Sequence, residues 1–338
     1  MACARATSSR PSSTKSRPSV PVADSAPSST QDQHLGLLAP VDLARLSTLA
    51  LRARTIVEGA LGGVHRNLHP GTSLEFTEHK EYAPGDDVRR IDWKAVARTD
   101  RYTIKRFENE TEMRMLLVLD TSASMGYRRT SVSKLEYATY LCAALAYLVG
   151  QQRDAAGLLA FDDSTHAMLP PSTRPGQIRE VLAALENLRP AGVANPDKAI
   201  DTVGEICDKR SLVIVFSDLL DTEDAPAGAM ATGTLAERVR QLRARGHDVV
   251  LFHILDPDEV ELPFDDLMFF EGMEPGDSRT LLAEASDLAQ AFREESANFR
   301  ERWRTACLEA RVEYRFARTD IPPAELLHAF LADRAGRP

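Results

Sequence analysis

Two short stretches carry side chains whose types and spacing could do chemistry together. One is Asp120-Thr121-Ser122-Ala123-Ser124, directly after the apolar run Met113–Leu119; the other is Ser217-Asp218, directly after Leu212–Phe216. Asp-x-Ser-x-Ser offers one carboxylate and two hydroxyls, hard oxygen ligands that suit Mg²⁺, an ion that keeps some of its waters. So few carboxylates leave the ion short of charge neutralisation and favour an acidic group from a partner. The plainer alternative is that Asp120 and its serines only cap the helix that follows. Phosphoryl transfer from a strand-end Asp would need a second acid two residues on; Ser122 stands there and cannot act as acid or base at neutral pH. The phosphate-cradling G-x-x-x-x-G-K-[ST], the dinucleotide fingerprint G-x-G-x-x-G and the nucleophile elbow G-x-S-x-G are all absent. A metal-dependent hydrolase using Asp120 and Asp218 stays open as an alternative, although no nucleophile–base assembly accompanies the pair.

The elements that must position these residues follow from periodicity. Met113–Asp120, Ala155–Phe161, Ser211–Asp218 and His247–Asp256 are short, nearly continuous apolar runs, as strands buried on both faces of a parallel sheet require. Between them lie helical patterns. Ser133-Lys134-Leu135-Glu136 fits a capping box, with Ala138, Leu141, Cys142, Leu145 and Leu148 forming an apolar face behind it. Residues 174–188, 195–207 and 234–246 read as further helices, the last closed by Gly246. Strands alternating with helices predict a doubly wound, mostly parallel α/β sheet over about residues 112–255. Beyond it, a short strand pair from Leu267, a helix from Ser286 to about Ala310, a strand at Val312–Phe316 and a last helix from Pro323 to Arg334 are expected. Ligands of such sheets bind beyond the carboxyl ends of the strands, where Asp120 and Asp218 fall.

The chain has 338 residues, 43% of them hydrophobic and 27% charged, with a formal net charge of -9. That composition is globular, and the charge argues against nucleic-acid binding by the molecule as a whole. No apolar run approaches the ~20 residues that span a bilayer, so no integral membrane segment is expected, and no secretory h-region opens the sequence. Cys3, Cys142, Cys207 and Cys307 are widely separated and show no metal or redox spacing, which suits free thiols in the cytoplasm. Residues 1–33, rich in Ser, Pro, Thr, Ala and Arg, read as a disordered tail. Val41–Leu61 has helical spacing and is closed by Gly62-Gly63. His65 and His69 have the spacing of two metal ligands on a helix, but Gly62-Gly63 and Pro70 break the helix they would need.

Glu81–Phe107 is unlike the rest. Pro84-Gly85 signals a turn, Asp86-Asp87 fit that turn or a cap, and the residues after them read as a short helix. Arg89, Arg90, Lys94, Arg98 and Arg101 form a local basic surface with Trp93 among them. A protein partner with an acidic face fits that surface. A basic-patch nucleic-acid binder is the alternative, set against few interleaved aromatics and the acidic total charge. The bland reading is a structural lid, with Trp93 packed and the charges paired.

Asp-x-Ser-x-Ser after a buried strand, with Asp218 after another, resembles the metal-ion-dependent adhesion site of von Willebrand factor A-like domains. In that site a Thr from a second loop adds an oxygen. Ala194 stands at the expected Thr position here, so the resemblance implies an incomplete Mg²⁺ site at Asp120, Ser122, Ser124 and Asp218. The block Gly71–Glu110, followed by Leu117–Met125, is similar to a bacterial family catalogued as domain of unknown function 58. Glu75-Phe76, Glu81-Tyr82, Pro84-Gly85-Asp86-Asp87, Arg89, Ile91-Asp92-Trp93 and Ala97-Arg98-Thr99 carry the likeness. It implies association with a MoxR-type AAA+ ATPase and carries over no catalytic residue. The organisation expected is therefore a tail (1–33), a signature block (34–111) and a von Willebrand factor A-like domain with a C-terminal extension (112–338). The function expected is a non-enzymatic adaptor that binds other proteins.

Overall fold

The run Arg114–Asp120 is apolar everywhere but at its ends, and such a strand must be covered on both faces. In the computed structural model of the chain it lies inside a six-stranded sheet. The structure describes residues 48–62, 79–81, 103–105, 113–129, 132–220, 233–264, 266–273 and 280–335. The chain divides into two compact units, Met1–His65 with Met113–Pro338, and Arg66–Glu112.

The larger unit begins with helix α1 (Leu49–Gly62). Strand β3 (Arg114–Asp120) leads to α2 (Lys134–Gln151), β4 (Ala155–Phe161), β5 (Thr165–Ser172), α3 (Gln177–Asn187) and α4 (Pro196–Ile206). Then come β6 (Leu212–Ser217), α5 (Gly233–Ala244), β7 (Asp248–Leu255) and the single turn α6 (Pro257–Glu261). The hairpin β8 (Leu267–Glu271) and β9 (Thr280–Glu284), the long α7 (Ala285–Glu309), β10 (Glu313–Arg318) and α8 (Pro323–Ala335) complete it. The smaller unit contributes β1 (His79–Glu81) and β2 (Thr103–Lys105), paired antiparallel with Lys80 opposite Ile104.

The sheet order is β10-β7-β6-β3-β4-β5, parallel throughout except for β5, which runs antiparallel to β4 at the edge. Alternate residues of each buried strand enter different cores, as the two-residue period demands. Met115, Leu117 and Leu119 of β3 join one core with residues of α1, α2, α3 and α8. Leu116 and Val118 join the other, with residues of α4, α5 and α7. Phe216 stacks on Phe252 at 5.0 Å, and Phe330 of α8 meets Phe252 edge-on at 5.5 Å.

Three expectations need correction. Helix α1 does not belong with the signature block: Leu49, Ala53, Ile56, Val57 and Ala60 are buried in the first core, so its apolar stripe is satisfied by the α/β domain. The sheet does not end near residue 255, because β10, from the C-terminal extension, is its edge strand beside β7, and α8 fills the core. Strand β5 is absent from the expected elements. Pro170 and Pro171 hide it, and they are tolerated because β5 is an edge strand. Its pairing shifts register beside Gly157, where a Cβ would come within 2.5 Å of the Leu169 carbonyl oxygen. The tail, residues 41–47 of the first expected helix, the His65/His69 pair and the expected helix after Asp87 lie outside the described residues. Cys142, Cys207 and Cys307 are free and buried. No helix among the described residues is long and apolar enough to cross a membrane.

Candidate functional site

Strand β3 turns toward β4 on one side and β6 turns toward β7 on the other, so their carboxyl ends border the crevice where the connections diverge. Asp120 ends β3 and Asp218 follows β6. The loop after β3 is held from two directions. The Thr121 N–H and hydroxyl both donate to the Phe161 carbonyl, at 2.7 and 2.9 Å. Ala123 N–H donates to the Gly192 carbonyl at 3.0 Å, and Ala191 N–H to the Thr121 carbonyl at 2.8 Å. Gly192 has φ +67°, and a Cβ there would lie 2.7 Å from an oxygen of Asp162. Only glycine lets the backbone approach so closely in that conformation.

These loops bring the four expected oxygen-bearing residues together. Asp120 Oδ1 accepts from Ser122 N–H at 2.9 Å, and Asp120 Oδ2 accepts from the Ser217 hydroxyl at 2.6 Å. Ser122 and Ser124 pair through their hydroxyls at 3.1 Å. Ser217 Oγ also accepts from Leu219 N–H at 3.0 Å. Leu219, directly after Asp218, holds φ +61°, a backbone region that bulky side chains rarely adopt. Burial and the nearby Asp218 charge push the Asp120 carboxyl up to about 7, against the hydrogen bonds from Ser217 and Ser122.

The partner of Asp218 is a lysine. Lys134 Nζ donates to Asp218 Oδ2 at 2.6 Å and to Glu259 Oε1 at 2.7 Å, with no solvent exposure of the lysine side chain. Lys134 is the first residue of α2, held by the capping box of Ser133 and Glu136. A cation at that end opposes the helix dipole, so its carboxylate partners also offset an unfavourable position. Glu259 is fixed in turn, because its other oxygen accepts from Asp256 N–H at 2.8 Å in the capping box of α6. The same short turn grips the loop after β3. Arg129 N–H donates to Asp256 Oδ2 at 3.2 Å, Tyr127 donates to Asp258 Oδ2 at 3.0 Å, and the Arg129 guanidinium pairs with Asp258. One bonded network thus ties the ends of β3, β6 and β7.

His253, opposite Ser217 in the β6–β7 ladder, is fully buried. Its Nδ1 meets the Tyr314 hydroxyl at 2.7 Å. Burial lowers its pKa to about 3, outweighing the pull of Asp218, so it is a neutral imidazole.

A Mg²⁺ ion does not fit these donors as they stand. Asp218 already holds the ammonium, Ala194 brings no side-chain oxygen, and the Asn195 side chain accepts from Lys198 N–H as the cap of α4. Asp120, Ser122, Ser124 and Asp218 are between 0 and 1% exposed. Among the described residues, no three His, Cys, Asp or Glu side chains are grouped to hold a metal. The six basic-surface residues Arg89, Arg90, Trp93, Lys94, Arg98 and Arg101 lie outside the described residues.

A family model described as "Protein of unknown function DUF58" matches residues 78–302. The chain belongs to this family. An uncharacterized protein of Mycobacterium bovis is 31% identical over 223 residues, 65% of this chain and 67% of its own length, and an uncharacterized protein of Mycobacterium tuberculosis matches with the same figures. Among solved structures, the conserved hypothetical protein BatB from Bacteroides thetaiotaomicron is 16% identical over 67% of this chain and 100% of its own, with a TM-score of 0.43. An aerotolerance-related membrane protein from Bacteroides fragilis is 16% identical over 65% of this chain and 99% of its own, with a TM-score of 0.41. Superposition at that level carries no functional argument.

Several residues of this DUF58 chain that matter at the crevice escape sequence reasoning. Lys134 stands out in the sequence only as part of a capping box, Asp256 only as the end of a strand, and Asp258 and Glu259, just past that strand, not at all. Asp162 escapes it too: it accepts from the Ser164 N–H and hydroxyl and from His166, which hold its pKa down despite burial. The available signal is an acid at the end of every parallel strand but β10: Asp120, Asp162, Asp218 and Asp256.

Proposed function

We propose that this chain is a non-enzymatic, cytoplasmic protein-binding module of von Willebrand factor A type that works with a MoxR-type AAA+ ATPase. The observation that carries the reading is the state of the crevice. Its hydroxyls and carboxylates bond to one another, to backbone and to Lys134, and none forms a nucleophile–base pair aimed at solvent. The histidine beside it, His253, is neutral and enclosed. Such a braced edge is a rigid platform for loops that contact another protein. The sheet order, with its single antiparallel edge strand and Asp120/Asp218 at the crevice, supports the von Willebrand factor A assignment. The family's signature block supports the ATPase as partner, with Arg98 and Arg101 in the contact.

Mixing the purified chain with a MoxR-type ATPase from the same cell and measuring mass by light scattering tests this. A complex is expected, lost in Arg98→Glu/Arg101→Glu while that variant keeps the wild-type unfolding curve. No complex, together with Mg²⁺-dependent ester or phosphoester hydrolysis that Asp120→Ala removes, would transfer the argument to an enzyme.

A further inference from the structure

We propose that the Lys134 ammonium is this crevice's permanent cation, taking the charge role of a divalent ion, so that the native protein uses the site without metal. The inference rests on side-chain geometry and is independent of which partner binds.

Three observations carry it. The first is position. Lys134 reaches Asp218 and Glu259 at 2.6 and 2.7 Å, lengths of charge-assisted hydrogen bonds, from a helix terminus that disfavours a cation. The second is occupancy of the oxygens. Both oxygens of Asp120 accept hydrogen bonds, Asp218 Oδ1 accepts from Leu220 N–H at 3.3 Å, and the two serines pair with each other. A Mg²⁺ ion needs near-octahedral oxygens at ~2.1 Å and would have to break most of these contacts. The third is repulsion. An ion ~2.1 Å from Asp218 Oδ2 would lie no more than about 5 Å from the ammonium, beside two side chains that have no solvent exposure. Ala194 fits this arrangement, since a site with a built-in cation has no use for a further oxygen at that place.

The position also gives the cation a mechanical consequence. Lys134 begins α2, Asp218 follows β6, and Glu259 lies in α6 after β7, so one ammonium closes a bracket over three strand ends. A bound metal would make that bracket responsive to ion concentration; a lysine makes it constant.

The test uses the full chain with Mn²⁺ as the probe. Calorimetry on the wild type is expected to show no binding at millimolar Mn²⁺ or Mg²⁺, and its melting temperature should not change on adding EDTA. Lys134→Met leaves the carboxylates without an internal cation and should gain a site. With Mn²⁺ at about 100 times its Kd, that variant's melting temperature should rise by roughly 5–10 °C. Lys134→Met/Asp218→Asn should lose that response. Saturable micromolar Mn²⁺ binding by the wild type, abolished by Asp218→Asn, would overturn the proposal. So would a folded Lys134→Met that ignores Mn²⁺. If Lys134→Met does not fold with or without Mn²⁺, the wild-type titration decides alone.

Discussion

Two ion pairs in this protein have the same N–O distance and opposite surroundings. Lys134 lies 2.7 Å from Glu259, with side chains 0 and 11% exposed; on α7, Arg304 lies 2.7 Å from Glu301, with side chains 58 and 59% exposed. Distance alone would rank them equal. Burial separates them, because a buried charge that loses its partner cannot turn to water, whereas an exposed one exchanges its partner for solvent at little cost. The crevice network is therefore a commitment made on folding, and the α7 pairs are surface detail.

The largest effect should come from removing the buried cation. Lys134→Met leaves Asp218 and Glu259 facing each other without compensation, and urea unfolding should show a loss of ~3–5 kcal/mol. Lys134→Met/Asp218→Asn should recover part of it, because the second change removes one orphaned charge. A loss below ~1 kcal/mol for the single variant would mean that the crevice is wetter than its geometry implies, and the contrast with α7 would fail.

The next effect sharpens the same contrast with a neutral group. His253 is enclosed by Tyr314, Phe299 and Phe316, with Asp218, Lys134 and Arg300 as the charges that act on it. Its folded pKa is about 3 and its ordinary value is 6.5. Below pH 6.5 the unfolded chain takes up a proton that the folded chain refuses, so stability falls with acid; above pH 6.5 both forms are neutral and there is no effect. Between pH 6 and pH 4 this amounts to ~2–3 kcal/mol. Urea titrations of wild type and His253→Phe over that range should diverge by this amount, the variant having the flatter profile. Parallel profiles would place the acid sensitivity elsewhere.

How legible these features are depends on whether their cause is local. Strands β3, β4, β6 and β7 can be read because burial on both faces writes itself into a run of consecutive residues. Asp120 and Asp218 can be read because the end of such a strand is a recognisable place. Strand β5 cannot, since an edge strand with Pro170-Pro171 and exposed alternate positions carries no apolar run. Lys134 cannot, because a lysine one residue past a serine cap reads as a solvated side chain. Its meaning comes from Asp218 and Glu259, 84 and 125 positions away. The metal expectation brings the oxygens of Asp120 and Asp218 to one place, but the ammonium bonded to Asp218 there belongs to α2, which no strand-end pattern signals. The placement of α1 is hidden for a related reason: its stripe, Leu49 to Ala60, shows that it packs without showing against what.

The smallest effect is the one that tests the exposed side of the comparison. Glu301 and Arg304 make two hydrogen bonds, at 2.8 and 2.7 Å, in the bidentate arrangement that favours a guanidinium–carboxylate pair. The hydrogen bonds between them, with their opposite charges, raise the Arg304 pKa and lower that of Glu301. Water screens their attraction and the unfolded side chains are solvated just as well, so little of it becomes stability. A double-mutant cycle of Glu301→Gln and Arg304→Gln, read by urea unfolding, should give a coupling within the scatter of repeated titrations. Raising the salt from low to high ionic strength should remove whatever remains. The same cycle on Lys134 and Glu259 should give a large coupling that salt barely changes. If the two cycles instead return similar values, hydrogen-bond geometry outweighs burial in this fold, and the case for Lys134 as a structural cation loses its energetic basis.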